Sequence, residues 1–542
     1  MQSSFRAPLL WILLPWMMGY WLADRFHQVE PMIFGCLGLC ALTVSLFFIR
    51  LRVWGIFFTI GALCSGCSFY SYTEGVRKVC PTWLSMPIRE LELVLEVRRS
   101  FSSDSLGRLS GIADIKGAPS VRSDLIDKRV YFSLKTKPGD PVASKGWLVR
   151  AIGLLKPISA TKTNGFEHYL HNVGIGYEFR NGTILESTDT SGSFERFCFV
   201  ANNKLEGILL QGNEEVSSSA DIGVAMILGK KASLHPENKE RFLQAGVMHL
   251  FAISGLHVGV VATFLALILR WLPGPKFLEA LCGLTLLFLY VKVTGGMPSA
   301  MRAFTMVAFW WFARLLGRPG SAFSAMVASA FFALLLNPRD MWNLGFQLSY
   351  CVVAAIILYG VPLASRLQSA WEPWSYRPAR EHTYLNRCVI YSWKWFSGAL
   401  SVSFAATLAS APLTMGYFGI FTPGAIFLNM FMVLLAGTAI ICGFVSIIFG
   451  LASMTFLSSW INHLLWGLIS LMDWLVDLCL GIPGFAQHVE VTSPRTVTLA
   501  VVATLALFLI FGRRIRFAAS WICMVPLAPL LYLYFFETVS TH

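Results

Sequence analysis

Along most of this chain, apolar runs long enough for a helix to cross a bilayer alternate with short charged turns. Residues 8–23, 31–49 and 53–71 read as three transmembrane helices. Ten further spans are expected at 252–270, 276–293, 298–315, 321–336, 343–364, 396–419, 424–450, 455–480, 497–511 and 517–535. Basic residues collect at alternate ends: Arg6, Arg50 and Arg52, then Arg270 and Lys276, Arg314 and Arg318, the 366–394 segment, and Arg513, Arg514 and Arg516. The positive-inside rule makes these ends cytoplasmic and the opposite ends, with the C-terminus, extracytoplasmic. The first apolar run has only Arg6 before it and no small-residue cleavage pattern after it, so it reads as a retained helix.

The rhythm changes over 85–190. Leu91–Val97, Arg129–Leu134 and Gly146–Ile152 alternate apolar and polar positions, with Gly, Pro, Ser and Asp between them. This is strand patterning with turn punctuation. Five or six short strands suit a small barrel, with an OB-fold as the leading form. Residues 195–250 read as amphipathic helices. Glu206–Leu210 and Ile222–Leu228 are too short to span, so they lie at the interface or pack under the core. The fold expected is a polytopic α-helical membrane protein with an inserted extracytoplasmic all-β, OB-like domain. Its parts are 1–75 (three helices), 85–190 (barrel), 195–250 (interfacial helices) and 251–542 (helical core).

Composition agrees. The chain is 55% hydrophobic and 13% charged, with mean hydropathy +0.61, which excludes a soluble enzyme. Its net charge of +13 resembles a nucleic-acid signal, but cytoplasmic loops account for most of the excess. Most of the twelve Cys sit inside apolar runs and act as small hydrophobes. Cys80 and Cys198 bracket the polar domain and form a disulfide if its ends meet outside the membrane. No spacing makes a metal site, no GxxxxGK[ST] motif binds nucleotide, and no cofactor is expected.

Chemistry concentrates in Ala245–Gly259, where the chain enters the membrane with two His, one Ser and three Gly. Polar groups at such depth usually line a cavity or pathway. His249 and His257 share a face if the helix is continuous, but Ser254 and Gly255 interrupt it. Zinc needs a third ligand that helical spacing does not supply. A hydrolase would use Ser254 as nucleophile and His257 or His249 as base. A lining role would use Ser254 and the His pair for hydrogen bonds, with Gly255 and Gly259 allowing close chain approach. Arg302, Asn343, Gln347 and Asn429 are further polar residues in or beside apolar runs. Arg302 lines a pathway or snorkels to the interface. In the barrel domain, Arg98, Arg99, Lys135 and Lys137 interleave with Tyr131, Trp147, Phe166 and Tyr169. Cations for phosphates and rings for bases are what a single strand needs. Acidic residues nearly balance the bases, so composition alone favours a small barrel with both a solvated face and an aromatic core.

Several motifs resemble the ComEC family of competence proteins: GVMHLFAISGLHVGVV over 246–261, Thr294–Arg302 as TG-x-x-P-S-x-x-R, Leu334–Pro338 with Leu344–Ser349, Ala406–Leu413 with Tyr417–Gly419, and Asn164–Ile175. The resemblance runs from about residue 60 to 450. It implies an inner-membrane channel that passes single-stranded transforming DNA, with an external OB-fold proposed to hold DNA and a pore lined by the central motif and Arg302. It also implies an extracytoplasmic ComEA-like DNA receptor, a cytoplasmic translocase ATPase and single-strand-binding proteins, beside membrane lipid. Many members carry a metallo-β-lactamase-like domain. This sequence has no H-x-H-x-D-H motif, so no nuclease is expected from it. An intramembrane serine hydrolase and a transporter of another polyanion stand as alternatives.

Overall fold

The computed structural model describes residues 7–26, 30–48, 53–77, 87–104, 108–135, 145–158, 167, 170, 174–212, 218–230, 236–251, 253–271, 274–374, 379–491, 493–514, 525–536 and 538–540. The chain forms two compact units. Residues 1–195 and 305–346 make the first; 196–304 and 347–542 make the second.

In the first unit, helices α1 (Leu10–Arg25), α2 (Pro31–Phe47) and α3 (Trp54–Arg77) pack through small residues. A Cβ on Gly19 would sit 2.3 Å from the Leu63 carbonyl, and one on Gly66 2.6 Å from that of Trp16. Between apolar helices in lipid, such close backbone contact is the main source of attraction. Trp11, Met32 and Phe47 stay exposed on the outer faces.

The same unit holds a closed five-stranded barrel. Its strands are β1 (Ile88–Asp104), β2 (Arg108–Gly117), β3 (Arg129–Lys135), β4 (Trp147–Pro157) and β5 (Tyr177–Asp189), in the order β1-β2-β3-β5-β4. All pairings are antiparallel except β3 with β5. The predicted alternation decides the core: Leu91, Leu93, Leu95 and Val97 face inward, joined by Phe132, Val149 and Phe179. A bulge between Val97 and Arg99 shifts the β1 register. Gly111 lies opposite, where a Cβ would fall 2.1 Å from the Arg99 carbonyl.

In the second unit, α4 (Ser193–Leu209, shared with the first at its start), α5 (Ser218–Leu228) and α6 (Pro236–Gln244) precede the main helices. α5 does not lie at an interface. Ala220 and every residue from Ile222 to Leu228 are buried, as a helix apolar on all sides requires. It packs on α14 (Ala425–Leu451) and α15 (Thr455–Leu480). Asn462 of α15 donates to the carbonyls of Ile208 (2.8 Å) and Gln211 (3.1 Å), tying down the end of α4.

Among the described residues, four helical segments are long and apolar enough to cross a membrane: Leu344–Ala370, Tyr384–Phe418 (α13), α14 and α15. The first comprises α11 (Leu344–Ala355), a π turn at Ile356–Gly360 and α12 (Val361–Ala370). Other expected spans are shorter. α7 (Gly255–Leu269) has 15 residues, as does α10 (Ala322–Leu336). At 1.5 Å per residue each covers about 22 Å, against an apolar layer of about 30 Å. α8 (Lys276–Val293) and α9 (Pro298–Leu315) have 18 each. α16 (Pro494–Arg514) and α17 (Ala528–Phe536) follow, and strands β6 (Ile420–Phe421), β7 (Gln487–Val491) and β8 (Thr538–Ser540) form a small sheet in that order. β6 follows α13, β7 follows α15 and β8 follows α17. Two helices separate each strand from the next, so this pairing agrees with a chain that crosses and returns.

Candidate functional site

Helices α5 and α8 end, and α7 and α9 begin, around one cluster of irregular backbone in the second unit. Gly229 closes α5 with φ +76°. A Cβ there would lie 2.7 Å from Ile253 Cδ1 and 3.1 Å from the Thr294 carbonyl oxygen. Side chains satisfy the backbone groups these ends leave open. Tyr290 Oη donates to the Ile227 carbonyl (3.1 Å), Asn202 Nδ2 to that of Val293 (2.9 Å), and Ser299 Oγ to that of Ile253 (2.7 Å). Non-helical backbone at membrane depth is tolerated only when buried in protein or lining a cavity. Helix starts also carry partial positive charge and helix ends partial negative. The cluster therefore offers both signs, close to the most polar motif of the chain.

The start of α7 explains Ser254 and His257. The Ser254 N–H donates to His257 Nδ1 (3.3 Å), and Ser254 Oγ lies 3.0 Å from the same nitrogen. This is a capping box with His in the third position. Because Nδ1 accepts, the neutral ring carries its proton on Nε2. That nitrogen is buried and has no hydrogen-bond partner among the described residues. The helix is not continuous through the motif: His249 sits exposed in a separate 3-10 turn, Met248–Leu250, while His257 is fully buried. The two His do not share a helix face.

Gly255 and Gly259 correct a second expectation. A Cβ on Gly255 would meet only Ala303 Cβ, at 3.8 Å, and one on Gly259 would meet nothing within 4 Å. Among the described residues no backbone approaches closely here, because α7 packs through the side that buries His257, Val258 and Val261. Arg302, in the second turn of α9, is 8% exposed, and its Nη2 donates to Ser349 Oγ of α11 at 2.9 Å. Gln347 is half-buried in the first turns of α11. Asn429 is half-buried in α14, and its Oδ1 has no partner among the described residues. Asn343 belongs to the first unit and starts α11, its Oδ1 accepting the Gly345 N–H at 2.9 Å. Tyr290 and Asn202 were not legible in the sequence, and Ser299 and Ser349 fall inside motifs quoted above without a partner to name. Each is a single polar residue in an apolar or mixed run, and only the fold reveals its partner.

The barrel offers a different site. The β1 bulge places Arg98 and Arg99 beside Arg129, Ile112 and Asp114 around a cleft of about 390 Å³. Asp114 bonds Arg98 Nε at 2.8 Å and lies 3.7 Å from Arg129 Nε. The Asp114 hydrogen bond raises the Arg98 pKa and holds it charged. Arg99 stacks over Phe101 at 5.0 Å. Phe101 meets Tyr131 at 6.3 Å. Tyr131 packs beside Ile112, Leu170 and Ile175, and burial pushes its phenol pKa up. Trp147 packs against the barrel core, and Lys135 is exposed. Lys137, Phe166, Tyr169 and Cys80 lie outside the described residues. At the barrel's exit, Lys145 bonds Glu195 at 2.9 Å and lowers the pKa of that carboxyl.

Among known proteins, the family model described as "Competence protein" matches residues 226–516. ComE operon protein 3 of Bacillus subtilis (strain 168) is 29% identical over 208 residues, which is 38% of this chain and 26% of that protein. Recombination protein 2 of Haemophilus influenzae (Rd) is 22% identical over 308 residues, 55% of this chain and 36% of that protein. The uncharacterized protein YcaI of Escherichia coli (strain K12) is 30% identical over 139 residues, 24% of this chain and 18% of that protein. The chain thus spans between 18% and 36% of the length of these curated relatives. No solved structure matches it.

Proposed function

Because the chain belongs to the competence protein family, we propose that it is a channel passing single-stranded transforming DNA across the bacterial cytoplasmic membrane. The observation that carries this reading is a buried Arg302 beside a cluster of helix breaks, in a unit with four segments of membrane-spanning character. A strand carries one charge per phosphate, and a fixed cation on its path lowers the electrostatic barrier. Strand order β1-β2-β3-β5-β4 with parallel β3 and β5 supports an OB-fold. In this reading the barrel and the C-terminus face the extracytoplasmic side, Arg98, Arg99 and Lys135 contact the strand, and Cys80 pairs with Cys198. An extracytoplasmic DNA receptor delivers DNA. A cytoplasmic ATPase and single-strand binders take it up.

The test is uptake of labelled DNA by cells lacking this gene, scored separately outside and inside the cytoplasmic membrane. DNA that accumulates outside and never reaches the cytoplasm is the expected result. Normal cytoplasmic arrival sinks the channel reading. The Ser254 Oγ to His257 Nδ1 contact of 3.0 Å favours one second reading, an intramembrane hydrolase. Transport of another polyanion is the third. Ser254→Ala separates the first two: a hydrolase loses nearly all activity, whereas a helix cap is dispensable.

A further inference from the structure

Resting on the channel reading, we infer that the first turns of α13 are an exit platform on the cytoplasmic side. There, bases of single-stranded DNA stack on Tyr384 and Tyr391 while Arg387 and Lys394 hold its phosphates. α13 has 35 residues. At 1.5 Å per residue it runs about 52 Å, and even at a steep tilt of about 40° it covers about 40 Å of depth, against an apolar layer of about 30 Å. The surplus lies at its start, because Arg387 and Lys394 are its only charged residues. Positive charge at the end of a span marks the cytoplasmic side. α12 braces these turns from one side. Gln368 Nε2 donates to the Lys394 carbonyl at 3.2 Å, and Trp371 meets Trp393 edge-on at 4.8 Å.

The face away from Trp393 is open. Tyr384 is 85% exposed and Tyr391 72%, and Arg387 and Lys394 are exposed as well. At about 100° per residue, Tyr384, Tyr391 and Trp395 fall within about 40° of one another round the helix. Arg387 and Lys394 form a second row, about 60–80° to one side of Tyr384. Neither cation makes an ion pair among the described residues. α13 has no acidic residue, and Glu372 and Glu381, which precede it, pair with neither. A row of rings beside a row of cations is the arrangement a single strand requires: bases offer π faces, phosphates offer charge, and no sequence is preferred. A lipid belt would gather the rings at one depth, in a headgroup layer of about 5–8 Å per leaflet. Tyr384 to Trp395 instead extends about 16 Å along the axis.

The test uses the full-length chain in phosphatidylcholine nanodiscs, with an oligothymidylate carrying iododeoxyuridine as a photocrosslinking probe. Crosslinks are expected on Tyr384, Tyr391 and Trp395. Tyr384→Ala with Tyr391→Ala is expected to lower crosslinking at Trp395 about tenfold, the scale of losing a stacked base. Tyr384→Phe with Tyr391→Phe, which keeps both rings, is expected to stay within about twofold of the parent. Arg387→Gln with Lys394→Gln is expected to lower the salt slope of that crosslink by about 1.4, at about 0.7 per lost phosphate contact. The inference is overturned by no crosslink on α13, by crosslinking that the alanine pair leaves unchanged, or by an unchanged salt slope. It is also overturned if Tyr384 and Tyr391 resist an aqueous tyrosine reagent in the nanodisc, which assigns the stripe to lipid. Loss of cytoplasmic DNA in cells carrying the alanine pair, with no crosslink on α13, makes the stripe a protein dock instead. Failure of the channel reading looks different: cells lacking the gene then receive cytoplasmic DNA normally, whatever the oligonucleotide binds. Blocked entry in those cells with no crosslink on α13 removes the platform alone.

Discussion

Arginine is used in two ways in this molecule. On the barrel, Arg98 and Arg129 share Asp114, Arg150 pairs with Glu92, and Arg180 pairs with Glu178. These guanidinium groups sit at 49% to 57% exposure, where water screens a pair and its net worth is about 0–1 kcal/mol; Glu178, 2% exposed, is the exception. In the helical unit, Arg302 is buried and its Nη2 donates to the Ser349 hydroxyl. The barrel spreads weak, partly neutralised charge over a solvated surface. The helical unit holds a guanidinium out of water, where the dielectric is low and a charge's field is strong. A count of basic residues sees neither difference, which is why net charge was a poor guide to either site.

The sharpest way to break the contrast is to invert each charge. Arg302→Glu is expected to reduce cytoplasmic DNA by roughly a hundredfold or more, because a buried like charge opposes every phosphate. Labelled DNA in the cytoplasm at parental levels would show that Arg302 does not face the strand. Next in size is the cluster of breaks that flanks Arg302. Gly229→Val combines a positive φ with a clash at Ile253 and is expected to cost about 1–3 kcal/mol, read as a lower melting temperature in detergent. An unchanged melt would mean the contact is not made. On the barrel side, Arg98→Glu with Arg99→Glu should weaken single-strand binding by the full-length chain in detergent and flatten its salt dependence. The slope should fall by about 0.7 per lost phosphate contact. Equal slopes would leave that cleft without a nucleic-acid role.

Smaller still is the helix cap. Ser254→Ala is expected to cost about 0.5–2 kcal/mol of stability while uptake stays far above that of Arg302→Glu. The smallest effect belongs to Lys145 and Glu195. The folded Glu195 pKa is lowered, so its stabilisation is complete above the unfolded value of about 4.3 and is lost as pH falls through the folded value. Lys145→Ala should therefore lower stability by about 0.5 kcal/mol or less near neutral pH. That gap should close on acidification, and a gap that persists at low pH would show the pair acts through packing.

How much of this was legible depended on whether the signal was local. The barrel was, because Leu91, Leu93, Leu95 and Val97 alternate strictly and the core follows directly. The breaks at 254–255 and 294–298 were legible as Ser, Gly and Pro in apolar runs, but their convergence was not, since it depends on tertiary packing. α5 could not be placed, because Ile222–Leu228 looks the same facing lipid or protein. Its burial became apparent only with α14 and α15 around it. Ser349 and Asp114 act on residues 47 and 16 positions away, and no periodicity links such pairs.

The small sheet in the second unit sets a mechanical limit. Val489, Glu490 and Val491 of β7 pair with Ser540, Val539 and Thr538 of β8, while Ile420 and Phe421 of β6 hold the other edge. A strand ladder yields to bending more readily than to sliding, because a slip of one residue breaks every hydrogen bond in register. The trailing ends of α13, α15 and α17 are thus riveted into one plate. Pistoning of any one of them past the others has to shear that plate, so any widening among these helices must hinge about it like the staves of a hooped cask.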